Sequence, residues 1–415
     1  VDTGKRIVPP RLGVPDEALA LYVHIPFCET KCPYCDFNTY AQIEGLIPDY
    51  VAALQHEIER WGALLSKPQT NTIFFGGGTP SYLPVHDLGH VMSTIREAFA
   101  VDSAAEISLE ANPGDVDPER AALLRAVGFN RVSVGVQSFD DGLLKMLGRR
   151  HDAKTAMGAI RNFRDGGFDS INLDLMFGLP DQSLEQWANS LNMALELDTE
   201  HISLYGLTIE PNTPLEVIVE KGDLPEPDAD LAADMYLLAC EQLEAVGYLH
   251  YEISNWCKPD KFARHNLVYW RSGEYLGVGP GAHSYVGGRR FETIRSPRQY
   301  VEALRSASDL PTESDALAAM KQIGIIASGG PDSDRQQAAD FLMMGLRLSE
   351  GISSAEIETK FGVDFPTQYQ DEIKRLHASG LLDFAEDRYW IPHDQWLVGN
   401  EVFSQFVELD TTSGG

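Results

Sequence analysis

The sequence predicts an α/β protein, a partial (βα)6 TIM-like barrel followed by a smaller winged-helix-like α+β domain, and three observations carry the prediction. Six short, apolar and often β-branched runs alternate with longer stretches whose apolar residues recur at helical spacing, the pattern of parallel strands joined by crossover helices. Chemistry-bearing residues fall at or just past the ends of those runs, where a barrel-like sheet gathers its loops on one face. From residue 335 onward the order changes to helix, helix, hairpin.

The strand runs are residues 21–25, 72–75, 106–110, 131–134, 170–174 and 201–205. The stretches 49–65, 87–99, 118–127, 153–164 and 184–195 supply the crossovers, because parallel neighbours require a long return connection. Six repeats fall short of the eight in a closed barrel, so periodicity alone leaves a doubly wound sheet open, and the residues at the strand ends favour the partial barrel. Residues 1–19 form an N-terminal extension and 20–225 the barrel. The polar, Pro-bearing segment 221–230 marks a boundary. A continuation over 226–334 is Gly- and aromatic-rich from 265 to 284 and loop-like from 311 to 334, where Gly329-Gly330-Pro331 reads as a break. Residues 335–415 form the winged-helix-like domain, whose second helix carries few basic residues and so suits packing or partner docking better than DNA.

Hydrophobic residues at 43% and charged residues at 23% are ordinary for a folded chain, which excludes global disorder. The charge balance is less ordinary: 33 Lys and Arg against 62 Asp and Glu give a net charge of −29, which repels phosphate backbones and anionic lipid. Nucleic acid is therefore not expected as a partner. No apolar run is long enough to span a bilayer and residues 1–17 lack the apolar core of a secretory signal, so a cytoplasmic protein is expected.

Five cysteines are too few for a disulfide scaffold, and three fall within eight residues, in Cys28-Glu-Thr-Lys-Cys32-Pro-Tyr-Cys35. A 4Fe-4S cube takes four thiolates, so three leave one iron open to a small-molecule ligand. Structural zinc is the competing reading, with His24 four residues upstream as a fourth ligand. Cys240 sits in a helical pattern and reads as a small buried hydrophobe; Cys257 receives no role.

Past the second strand, Phe75-Gly76-Gly77-Gly78-Thr79-Pro80 would let backbone approach a ligand. Glu110 ends the third strand, Gln137 follows the fourth, Arg149 lies in the loop leaving the fourth repeat, and Asp174 ends the fifth. Any one of them could be a satisfied structural residue. Together, two carboxylates, an amide and a guanidinium suit a zwitterionic ligand bearing a ribose.

The segments 22–37, Gly76-Gly-Gly-Thr-Pro, Glu110-Ala-Asn-Pro, Gly135-Val-Gln-Ser and Leu173-Asp-Leu-Met-Phe-Gly-Leu-Pro resemble the radical S-adenosylmethionine (SAM) family of oxygen-independent coproporphyrinogen III oxidases and their relatives, over roughly residues 20 to 395. The resemblance implies a barrel of radical SAM type, a 4Fe-4S cluster on Cys28, Cys32 and Cys35, and SAM contacts from Tyr22, Gly78, Thr79, Glu110, Gln137, Arg149, Asp174 and Thr208. The oxidases resemble Cys-x3-Cys-x2-Cys-x-Cys, whereas Phe37 stands at the fourth position here, which argues against oxidase activity. Tyr251-Glu-Ile-Ser-Asn-Trp, His265-Asn-Leu-Val-Tyr-Trp270 and Gly279-Pro-Gly-Ala-His-Ser284 instead resemble the heme-chaperone branch. That likeness implies one heme per chain with His265 as its ligand, a heme-acceptor protein, an electron donor for the cluster and a homodimer that depends on the cluster. On the residues alone, His265 reads rather as an internally hydrogen-bonded side chain among core aromatics. A coproporphyrinogen oxidase and a related radical SAM methylase are the rival enzymes.

Overall fold

The computed structural model describes residues 9, 11–12, 18–306 and 315–406. Most of the expected extension, part of the expected loop (311–314) and the last nine residues lie outside the described residues.

All six expected strands form: β1 Ala20–Ile25, β2 Gln69–Gly77, β3 Ala100–Ala111, β4 Arg131–Gln137, β5 Ser170–Phe177 and β6 His201–Gly206. They are parallel and adjacent in chain order. The helices between them are α1 Ile47–Leu64, α2 Val85–Ala98, α3 Pro118–Val127, the short α4 Asp141–Met146, α5 Ala153–Asp165 and α6 Leu184–Glu196. Side-chain caps set their starts: Asp117 and Asp152 each accept a backbone N–H of the first turn, and Ser183 with Gln186 forms a reciprocal capping box. Trp61, Ile95, Leu124, Phe163 and Trp187 on these helices share one buried core with Leu21, Ile73, Leu109, Val132, Leu173 and Ile202 of the strands.

The strands alternate strictly. Val132, Val134 and Val136 of β4 and Ile171, Leu173 and Leu175 of β5 are fully buried toward the helices. The intervening Arg131, Ser133, Gly135, Gln137, Asn172, Asp174 and Met176 line the inner face. Successive strand side chains point to opposite faces, so a polar alternate set gives the sheet a cleft where a closed barrel would have packed layers of branched apolar residues.

The chain then extends this sheet on both sides. After α7 Pro214–Glu220 and α8 Ala229–Ala245 come β7 Leu249–Glu252 and β8 Asn255–Cys257; β8 pairs antiparallel with β6, and β7 antiparallel with β8. A helix, α9 Arg264–Trp270, precedes β9 Tyr275–Val278, a seventh parallel strand beside β1 that the repeat pattern did not foretell. Antiparallel β10 His283–Val286, β11 Arg289–Thr293 and β12 Ile326–Pro331 follow, giving the order β12-β11-β10-β9-β1-β2-β3-β4-β5-β6-β8-β7.

The expected loop at 311–334 is corrected where it is described: helix α11 Ala316–Ile323, which follows α10 Pro297–Ser306, leads into β12. Gly329-Gly330-Pro331 belongs to a strand. A Cβ at Gly329 would stand 2.4 Å from Cβ of Phe291, so glycine here permits close approach of two strands. Pro331 is tolerated because β12 is an edge strand.

At the C-terminal end, α12 Asp334–Gly345, α13 Ser354–Phe361, α14 Phe365–Gln368 and α15 Gln370–Ala378 pack on a sheet of β13 Ile352–Ser353 with the hairpin β14 Asp383–Ala385 and β15 Arg388–Trp390. The expected second helix is broken at Tyr369 into α14 and α15. Phe341, Ile357, Phe365, Leu376 and Phe406 form a core separate from that of the barrel. Among the described residues no helix is long and apolar enough to cross a membrane.

Candidate functional site

The C-terminal ends of the parallel strands open onto a cleft of about 640 Å³, within the usual size range for a small-molecule site. All twelve residues singled out from the sequence line it: Tyr22, Cys28, Cys32, Cys35, Gly78, Thr79, Glu110, Gln137, Arg149, Asp174, Thr208 and His265.

The cysteine loop leaves β1 and is pinned by the glycine loop after β2. Gly78 N–H donates to Ile25 O at 2.7 Å and Thr79 N–H to Phe27 O at 2.8 Å. A Cβ on Gly78 would lie 2.6 Å from the Phe27 carbonyl oxygen and 2.8 Å from that of Ile25. Glycine is therefore needed there for contact with the stem of the cysteine loop, a different reason from the ligand approach expected of it. Thr79 Oγ1 donates to Cys28 Sγ and Arg149 Nη1 to Cys32 Sγ, each at 3.4 Å. Burial raises the Cys28 and Cys35 thiols; the Thr79 hydroxyl acts in the opposite sense at Cys28, and the Phe37 N–H and the Lys31 charge do so at Cys35.

The donor set suits a cube better than one tetrahedral ion. Sulfurs around tetrahedral zinc lie about 3.8 Å apart. Among the described residues the group of His, Cys, Asp and Glu whose ligand atoms fall within 4.8 Å of one another is Glu244, His250 and His393, away from this loop. His24 cannot complete a Cys3His site as placed, because Nδ1 meets the Tyr22 hydroxyl and Nε2 the Asn38 carbonyl, each at 3.0 Å.

Opposite the thiols stand the two carboxylates. Glu110 Oε2 accepts the Gly77 N–H at 3.0 Å, and Asp174 accepts from Ser133 Oγ at 3.0 Å and Asn172 Nδ2 at 2.7 Å. Burial, then the charge of Asp174, pushes Glu110 up to about 8. Burial raises Asp174 as well, against the hydrogen bonds from Ser133 and Asn172. Such a pair favours a ligand that brings positive charge or hydroxyl donors. Arg149 Nη2 donates to Gly135 O at 2.7 Å, while its buried Nε has no protein partner and is free to meet an acceptor. Gln137, the last residue of β4, holds φ +68°, a conformation uncommon outside glycine and found at ligand clamps.

The floor of the cleft belongs to α9. Glu106 of β3 accepts the N–H groups of Arg264 at 3.1 Å and His265 at 3.0 Å, seating the helix inside the barrel. His265 is 1% exposed, stacked on Phe74 with centroids 5.3 Å apart, with Nδ1 3.0 Å from Thr72 Oγ1 and Nε2 2.8 Å from the Tyr269 hydroxyl. Burial drives it down to about 3, so the ring is neutral. Both nitrogens are occupied, and iron could reach one only after Tyr269 or Thr72 lets go. At the mouth, Phe37 and Tyr205 are 64% and 42% exposed.

Sequence reasoning passed over the inner-face polar set of Arg131, Ser133, Asn172 and Ser203, which orients Asp174 and lines the same cleft. Its signal was present in the alternation of Arg131-Val-Ser-Val-Gly-Val-Gln137.

A parallel barrel-like sheet with three thiols on its first loop, facing carboxylates from later strand ends, agrees with the comparison to known families: the Radical SAM superfamily matches residues 22–194 and the HemN C-terminal domain residues 332–396. The chain is 36% identical over 387 residues to the heme chaperone HemW of Bacillus subtilis, covering 93% of this chain and 98% of that one. It is 42% identical over 311 residues to the heme chaperone HemW of Escherichia coli, covering 71% and 80%. Coproporphyrinogen III oxidase (HemN) of Escherichia coli shares the fold, with a TM-score of 0.79 at 24% identity over 95% of this chain and 91% of that one. The chain belongs to the HemN-like family of radical SAM proteins. Within that family it is HemW-like. Membership implies a 4Fe-4S cluster and SAM.

Proposed function

We propose that the chain is a cytoplasmic heme chaperone that holds a 4Fe-4S cluster on Cys28, Cys32 and Cys35, binds SAM in the same cleft, and takes up one heme for transfer to an acceptor protein. The observation that carries the proposal is the convergence of the three thiols, the Glu110 and Asp174 carboxylates, Arg149 and the His265–Tyr269 pair on one cleft in a HemW-like chain. When bound, the cluster supplies an electron and an open iron site for SAM. The residues do the rest. Glu110 and Asp174 accept from amine and hydroxyl groups, and Arg149 offers its free Nε to a carboxylate. Thr79 and Arg149 steady the thiolates. Tyr22, Gly78, Gln137 and Thr208 complete the wall against SAM.

Heme enters at the exposed Phe37 and Tyr205, whose rings suit a porphyrin face, and His265 becomes its ligand once Tyr269 releases Nε2. Five unpaired cysteines suit a reducing compartment, and an electron donor and a cluster-dependent homodimer belong to the same reading. Phe37 in place of a fourth loop cysteine weighs against the oxidase.

The test is an anaerobic heme titration of the cluster-loaded protein, followed by heme absorbance, on wild type, His265→Ala and Tyr269→Phe. Saturation near one heme per chain is expected, weakened at least about tenfold by His265→Ala and strengthened by Tyr269→Phe. Absence of saturable binding in all three would overturn the chaperone reading and direct attention to coproporphyrinogen turnover. Unchanged spectra in both variants would move the ligand away from His265.

A further inference from the structure

On the side of the barrel that meets the C-terminal domain lies a second set of metal-ligating side chains, remote in chain position from the cysteine loop. Helix α8 presents Cys240 and Glu244 one turn apart, on the same face. Beside them are His250 of β7 and His393, the latter contributed by the C-terminal domain. Cys240 was expected to be a small buried hydrophobe. It does pack against the barrel core, but its sulfur also stands 3.9 Å from His250 Nδ1.

The two imidazoles are oriented by what lies behind them. His250 Nε2 is 3.2 Å from the Ile253 carbonyl, an acceptor only, so this nitrogen donates and Nδ1 is left with its lone pair. His393 Nδ1 is 3.3 Å from Glu244 Oε1, so it too donates and Nε2 is left with its lone pair. Those remaining nitrogens face each other. Two lone pairs cannot hydrogen-bond to one another, and the point between them needs a positive centre, either a proton or a metal ion. The Glu244 carboxylate, whose oxygen lies within 4.8 Å of both imidazoles, and the Cys240 sulfur 3.9 Å from His250 Nδ1 favour the metal, because borderline ions take imidazole, carboxylate and sulfur together.

We propose that a divalent cation of the zinc class binds to Glu244, His250 and His393, with Cys240 Sγ, beside His250, moving in as the fourth donor. Glu244 orients the His393 ring in the empty site and supplies an oxygen to the bound ion. Around a tetrahedral zinc the nitrogen–sulfur edge is about 3.6 Å, close to the 3.9 Å already present between His250 and Cys240. The ring of His250 is held for the purpose, stacked on Trp256 at 3.8 Å and 12° and edge-on to Trp396 at 4.4 Å. The site is reachable, since the side chains of His393 and Glu244 are 42% and 47% exposed. Nitrogen and sulfur donors disfavour magnesium and calcium, which require oxygen. Bound there, the ion ties α8 and the edge strand β7 of the barrel to the C-terminal domain.

The experiment uses cluster-loaded protein, in which Cys28, Cys32 and Cys35 are already engaged. It is equilibrated with Zn²⁺ against a competing chromophoric chelator, and zinc content and the zinc X-ray absorption edge are then measured. One zinc per chain is expected, with a single sulfur neighbour at about 2.3 Å and nitrogens at about 2.0 Å. Cys240→Ser and His393→Ala should each weaken zinc binding at least about tenfold, with iron content and SAM binding unchanged. Zinc removed completely by the chelator from wild type, or retained equally by both variants, would overturn the proposal. If His393→Ala also lost iron, and with it the fold, Cys240→Ser, which preserves size, would decide alone.

Discussion

Glu110 illustrates how a single buried group records the ligand it awaits. Its folded value, about 8, lies above the ordinary 4.5, so between those pH values the folded chain keeps a proton that the unfolded chain releases. By linkage, stability falls as pH rises through that window and levels off above 8. Glu110→Gln removes the charge, so the ligand-free variant should melt higher than wild type at pH 8.5, and the gap should close near pH 4.5. SAM affinity should drop at least about tenfold in the same variant, read by equilibrium dialysis. A variant less stable than wild type at pH 8.5 would mean that the Gly77 hydrogen bond matters more than the buried charge. The sequence showed Glu110 as a carboxylate at a strand end. It could not show that Asp174 shares its surroundings, because the two meet only when β3 and β5 close around the cleft.

At the scale of elements, the cysteine loop is a rigid attachment rather than a free arm. Its stem is sewn to the glycine loop by the Ile25–Gly78 and Phe27–Thr79 hydrogen bonds, and Gly78 has no room for a Cβ. Gly78→Ala should displace the loop, costing about 1–3 kcal/mol in stability and lowering iron per chain after reconstitution by more than half. Full iron loading in that variant would show that the loop tolerates displacement. Strands and helices of the barrel were legible because period 2 and period 3.6 alternate cleanly along residues 20–206. Helix α9 was less legible. Seven residues give little periodicity, and its placement depends on Glu106, 158 residues earlier than Arg264. The edge strand β12 was misread because its glycines answer to the neighbouring strand β11, a long-range condition.

For the molecule as a whole, Glu350 joins parts distant in the chain. Its carboxylate accepts from Arg271 Nε at 2.9 Å and from Leu12 N–H at 2.6 Å, and its carbonyl accepts from Arg388 Nε at 3.1 Å. Arg271 and Glu350 are 8% and 4% exposed, so removing Glu350 takes the counter-charge from a buried ion pair. Glu350→Ala should cost about 3–5 kcal/mol in denaturant unfolding and make the C-terminal domain more sensitive to protease. A change under about 1 kcal/mol would mean that Arg271 finds another acceptor.

By itself the sequence determined the alternation of strands and helices, the polar residues at the strand ends, the spacing of the three thiols and the surplus of acid. Each is local or additive: a period, a spacing or a sum that the chain carries however it folds. Tertiary structure decided which residues meet. It paired Glu110 with Asp174, gave both nitrogens of His265 to Thr72 and Tyr269, and set His393 against His250. The contact of His265 with Thr72 spans 193 residues and that of His393 with His250 spans 143, and only closing the sheet and docking the C-terminal domain brings these side chains together.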